Sequence, residues 1–163
     1  METMILTGQT VLLGLLAGWL VLGALENIRA PRVNGDFVTM VLNMEQMAEE
    51  RPEMFAQLSG NRLTSPALQR LLFQAIVAVE CLVALVLVAG TAALAGALLG
   101  LVDPGLARLL AGWGALAYTA IWGAFLVGGQ WFHYWVVHDS AQNTHYHMTV
   151  WGTVTWLAMV LPA

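Results

Sequence analysis

Apolar residues run almost unbroken from Met4 to Leu25, from Leu71 to Ala95 and from Leu106 to Gly129, and polar residues collect between the first and second runs. Each run exceeds the 20 or so residues, roughly, that an α-helix needs to cross about 30 Å of hydrocarbon. A fourth stretch, Tyr146 to Leu161, is shorter, and its strictly apolar part begins only at Met148. It spans only if Thr144 to His147 begin the helix below the headgroups; a re-entrant or tilted helix is the alternative. The pattern predicts an all-α membrane protein of one integral membrane domain, residues 1–163. It has four transmembrane helices, at about 4–25, 71–95, 106–129 and 146–161, and a helical extramembrane loop over 26–65.

Local signals mark the ends of these elements. Ser65-Pro66 and Asp103-Pro104 each place a capping residue before a proline at the first helical position. If continuous to Leu101 and Val137, the helices they start would each measure about 50 Å, and Gly90, Gly96 and Gly100 are places where the first could break. The surplus length must project on the side of the long loop, because the turn at Val102 to Gly105 is short. Within the loop, Phe37, Val38, Met40, Val41, Met44 and Met47 recur at helical spacing, with Glu45, Glu49 and Glu50 toward the other side. Asn34 or Asp36 could cap that helix and Pro52 limits it. It lies on the membrane surface or the other helices, or docks a partner.

Composition narrows the class. The chain is 59% hydrophobic and 10% charged, against about 25% charged in soluble domains. Ten charged residues lie in the loop, from Glu26 to Arg62. Six arginines, no lysine and a net charge of -4 exclude a nucleic-acid-binding face. Cys81 is the single cysteine, so no intrachain disulfide forms, and it reads as a small buried hydrophobe. Arg29, Arg32, Arg62 and Arg70 flank the long loop against Arg108 at the short one, which by the positive-inside rule puts the long loop in the cytoplasm.

A few residues could carry chemistry. Glu80 is the one acid inside a span, about 21 Å along its helix, where a bare carboxylate is costly. It must be neutral, paired or hydrogen-bonded, and Gln74, Trp113, Tyr118 and Thr119 are candidate partners. It is a proton or ion relay, a cofactor contact, or a group that fixes helix packing. All four histidines, His133, His138, His145 and His147, fall within 15 residues and are competent metal ligands, although their spacing matches no diagnostic motif and an aromatic rim also explains them. Gly14 and Gly18 form a small-xxx-small pair that admits a neighbouring helix. Gly128, Gly129, Gln130, Trp131, Phe132 and Trp135 form an aromatic membrane boundary, where the double glycine weakens the helix unless something packs against it. A headgroup, a quinone or a partner helix would each serve.

The run Asn34-Gly35-Asp36-Phe37-Val38, then Val41-Leu42 and Met44-Glu45, then Glu80, then Val127-Gly128-Gly129-Gln130-Trp131-Phe132 with Trp135, resembles the bacterial predicted small integral membrane proteins of domain-of-unknown-function family 2165. The resemblance covers roughly residues 26–150. It implies a four-span protein of the bacterial inner membrane with the long loop periplasmic, against the arginine count, and supplies no activity. Two departures are Gln130, where the family usually carries glutamate, and the histidine-rich stretch after it.

Three functions follow as expectations. The first is an accessory or assembly subunit of a larger membrane complex, with lipid and membrane-protein subunits as partners. The second is a metal- or quinone-binding redox protein using the histidines and Glu80. The third is a small ion-coupled carrier, for which the spans offer few polar residues and no inverted repeat. No catalytic motif is present, an enzyme is the weaker expectation, and no cofactor is identified.

Overall fold

The computed structural model describes residues 1–161. The chain is helical throughout: α1 (Glu2–Arg29), α2 (Pro31–Asn43), α3 (Glu45–Glu50), α4 (Pro52–Leu58), α5 (Pro66–Leu98), α6 (Pro104–Trp131) and α7 (Asp139–Val160), with single 3-10 turns at Ser59–Asn61 and Tyr134–Val136. Prolines 31, 52, 66 and 104 open their helices, where a missing N–H costs nothing and φ is already helical. Asp103 completes its cap by accepting from the Leu106 amide at 2.9 Å, whereas Ser65 occupies the cap position without a side-chain bond.

α5 runs through Gly90 and Gly96 without a break for 33 residues, about 50 Å, and stops at Gly100, whose φ of 71° suits glycine. Close approach, not flexibility, explains Gly90. A Cβ there would lie 3.0 Å from Leu13 of α1 and 3.1 Å from the Ala111 Cα of α6, so three helices converge on one missing side chain.

Helices α1, α5, α6 and α7 run alternately up and down, each antiparallel to the next. Gly14 of α1 faces Thr91 of α5, Gly114 of α6 faces Leu87, and Gly152 of α7 meets Thr119 and Tyr118 of α6. The core between them holds Leu13, Leu16, Leu87, Leu94, Ala111 and Tyr118, all fully buried. Outward, Leu15, Leu22, Leu82, Leu85 and Leu109 are exposed, an apolar girdle suited to lipid.

Among the described residues three helices, α1, α5 and α6, are long and apolar enough to cross a membrane. The fourth expected segment forms a 22-residue helix that starts at Asp139 rather than Tyr146. It is not among those three because Gln142 to His147 dilute its apolar character. At its far end Gln9 donates to the Ala158 carbonyl at 2.7 Å and accepts from Arg108 at 3.1 Å, so α7 runs the length of the bundle.

The long loop folds back onto the opposite end. Its main helix begins at Pro31, not at Asn34 or Asp36, because proline is the stronger start signal. It breaks at Met44, which takes a left-handed φ of 54°, so the stripe expected to continue through Met47 is split between α2 and α3. The break lets both methionines bury, to 2% and 1% exposure. The Leu63 amide donates to Leu42 at 2.9 Å, and Gln69 of α5 donates to the Asn43 side chain at 2.7 Å. Asn61 and Trp131 exchange two hydrogen bonds, 2.9 and 3.2 Å, clasping the loop to the end of α6.

Candidate functional site

Where the loop closes over the bundle it leaves a cavity of about 470 Å³, within the range of small-molecule sites. α2 supplies Phe37, Val38 and Val41; α5 supplies Leu72, Phe73 and Ile76; α6 supplies Trp122, Phe125 and Gly128, and Phe132 caps its end. The wall is therefore apolar and largely aromatic. Its polar groups are few: Glu80 from α5, Asn27 from the last turn of α1, Asn34 from α2, and the pair Tyr134 and His145.

The first three form a chain. The Asn27 amide donates to Glu80 Oε2 at 2.7 Å, and the Asn34 amide donates to Asn27 Oδ1 at 2.7 Å. Glu80 and Asn27 are buried to 6% and 7% exposure. Glu80 is thus answered by asparagine amides and not by Gln74, Trp113, Tyr118 or Thr119. Trp113 faces outward at 62% exposure, Tyr118 donates to the Met148 sulfur at 3.2 Å and Thr119 to its own helix at the Ala115 carbonyl. The pairing places Glu80 level with the end of α1, and the turns of α5 before it rise alongside the loop.

The histidines separate. His145 is the one that lines the cavity, its Nδ1 3.1 Å from the Tyr134 hydroxyl and its ring against Trp122, Phe125 and Tyr134 at centroid distances of 5.0 to 5.9 Å. His138, at the start of α7, packs edge-on to Phe37 at 5.2 Å. Burial lowers the pKa of His138 and the negative charge of Glu50 raises it by less. His133 takes a left-handed backbone, φ 51°, with Nδ1 3.2 Å from the Trp131 carbonyl, and His147 is exposed. Among the described residues no group of three or more His, Cys, Asp or Glu side chains is gathered for a metal.

The glycines divide likewise. A Cβ on Gly129 would overlap the Tyr134 ring, so the tight packing that the double glycine demanded comes from the chain itself. Tyr134 is buried, and burial raises its pKa. Gly128 meets nothing within 4 Å and opens to the cavity. Gly14 packs on Thr91 while Gly18 faces open space, so the expected pair serves the intrachain contact with one member only. Gln130, Trp131 and Trp135 are exposed at the rim and Phe132 lines the cavity.

Asn27, Phe73 and Trp122 carry the site without having stood out in the sequence. Asn27 was legible in principle, as an amide where an apolar run ends, on the helix that a hairpin-like loop returns antiparallel to the Glu80 helix. The Trp122 indole N–H is buried without an acceptor among the described residues, sealed from the cavity and so not offered to an occupant.

No curated protein and no solved structure matches the chain significantly. A family model does, over residues 5–162, described as predicted small integral membrane protein. With nearly the whole chain covered, the protein belongs to that family, DUF2165.

Proposed function

We propose that this protein binds an amphipathic small molecule in the loop-side cavity, its apolar body among the aromatic rings and its polar group at Glu80. The observation that carries this is the conjunction of a cavity of about 470 Å³ with one buried, hydrogen-bonded carboxyl on its wall. A group used only to fix packing has no need of the space beside it. This develops the ligand-binding alternative of the three expectations, with quinones within its range, and drops the metal centre because the histidines diverge. α7 serves as the fourth span, in the bacterial inner membrane that the family resemblance implies, with the loop periplasmic.

Native mass spectrometry from gentle detergent tests it. The wild-type protein should carry a small-molecule adduct that Gly128→Phe, which fills the open space beside Gly128, removes. Identical adduct-free spectra for both would overturn the reading.

An accessory-subunit role has its own specific support: Gly8 and Gly18 on α1 are exposed and face nothing within 4 Å, which lets another helix approach closely at those positions. A partner that co-purifies with wild type and is lost on Gly18→Leu would establish it.

A further inference from the structure

We propose that the occupant of the cavity is a lipophilic organic cation, an ammonium-type charge on an apolar body, paired with Glu80 and flanked by the aromatic wall. This rests on the cavity being a ligand site and names the chemistry it accepts.

Charge complementarity is the argument. Glu80 is the cavity's one carboxyl, and no arginine lines it. Its hydrogen-bond partner is the amide of Asn27, itself satisfied by Asn34, and an amide offers dipoles but no countercharge. Five of the six arginines flank or lie in the loop, yet none reaches this wall, and Arg108 is committed to Gln9 and Glu2 at the opposite end. The charged form of Glu80 finds no positive partner in the protein, and a cationic occupant would supply one. The rings repeat the preference, since aromatic faces attract cations and repel anions, and Phe37, Phe73, Trp122, Phe125 and Phe132 supply five of them. His145, the other titratable group of the wall with Tyr134, is held in the ring cluster by the Tyr134 hydroxyl.

An isosteric pair differing by a single charge provides the test: phenyltrimethylammonium and tert-butylbenzene, titrated against the full chain in phosphatidylglycerol nanodiscs, with a fluorine label on Trp122 as reporter. The cation should bind at least ten-fold tighter than the hydrocarbon. Glu80→Gln should erase that preference, and Phe73→Leu, which removes a ring without altering charge, should reduce it in a folded protein if the Glu80 variant fails to assemble.

Equal affinity for the two probes in wild type, or a preference that survives Glu80→Gln, would overturn the cation and leave the cavity reading intact. If neither probe moves the Trp122 signal, both readings fall. Discs containing phosphatidylethanolamine identify the source. Competition there makes the ethanolamine headgroup the natural cation, and undiminished binding makes it a free one.

Discussion

Replacing Asn27 by leucine should damage the protein unless Glu80 is replaced as well. The Asn27 amide donates to Glu80 at 2.7 Å with both residues under 10% exposed, so water reaches either group only through the cavity they line. A hydrogen bond to a charged group is worth about 1.5–3 kcal/mol, and a buried polar group left without a partner costs roughly 1–3 kcal/mol. Asn27→Leu removes the donor and also strands the Asn34 amide, but Asn34 is only half-buried and water can reach it. We expect a loss of about 2–3 kcal/mol.

Glu80→Met keeps the volume and discards the acceptor, for about 1–2 kcal/mol, since Asn27 retains its bond from Asn34. The double variant exchanges a polar contact for an apolar one and should lie within about 1 kcal/mol of wild type, because replacing both partners of a buried pair is often neutral. The cycle should therefore show coupling of about 2–5 kcal/mol, measured by reversible unfolding in mixed detergent micelles of increasing SDS fraction. Additive losses, with coupling below about 0.5 kcal/mol, would show that the two residues do not depend on each other and would remove the structural basis of the site.

Other perturbations test other contacts. Gly152→Ala puts a Cβ 2.5 Å from Thr119 Oγ1 and 2.8 Å from the fully buried Tyr118 ring. Overpacking of about 1–3 kcal/mol should outweigh the gain of roughly 1 kcal/mol in helix propensity, while Gly123→Ala, with nothing within 4 Å, should be neutral or stabilising in the same SDS titration. Gly129→Ala should lower the unfolding midpoint by displacing Tyr134, and should raise it in a Tyr134→Ala background, a change of sign that only this contact explains. For His138 the folded pKa lies below the ordinary histidine value of 6.5. Its neutral form thus contributes stability that is complete above that value and is lost as pH falls through the folded pKa. Limited proteolysis of the loop should accelerate on acidification from pH 7.5 to about pH 5 in wild type and less in His138→Phe, which keeps the packing on Phe37 without a titrating group.

How much of this was readable without coordinates depends on whether a feature is fixed by the bilayer or by tertiary contact. Leu71 to Ala95 and Leu106 to Gly129 declare themselves because lipid imposes one rule, length with apolarity, and α5 and α6 extend those segments by a few residues into the flanking prolines and Trp131. The loop obeys no such rule. Its methionine stripe signals an amphipathic helix correctly through Asn43, but the chain takes a left-handed turn at Met44 with Met44 and Met47 both buried, which periodicity does not encode. The histidines mislead for the same reason: closeness in sequence is no measure of closeness in space once His133 and Tyr134 turn the chain between α6 and α7.

Glu80 is the instructive residue, conspicuous because an acid in an apolar run is rare, yet assigned the wrong partners when depth is counted from the start of its own helix. Depth in a bundle is set by the neighbours. The antiparallel packing of α5 on α1 brings Glu80 level with Asn27 in the last turn of α1. A residue well inside its own helix thus meets the end of its neighbour and the loop that follows, and lines the pocket left there. That arrangement makes a ligand site physically reasonable, because one buried carboxyl faces open volume as well as its hydrogen-bond partner.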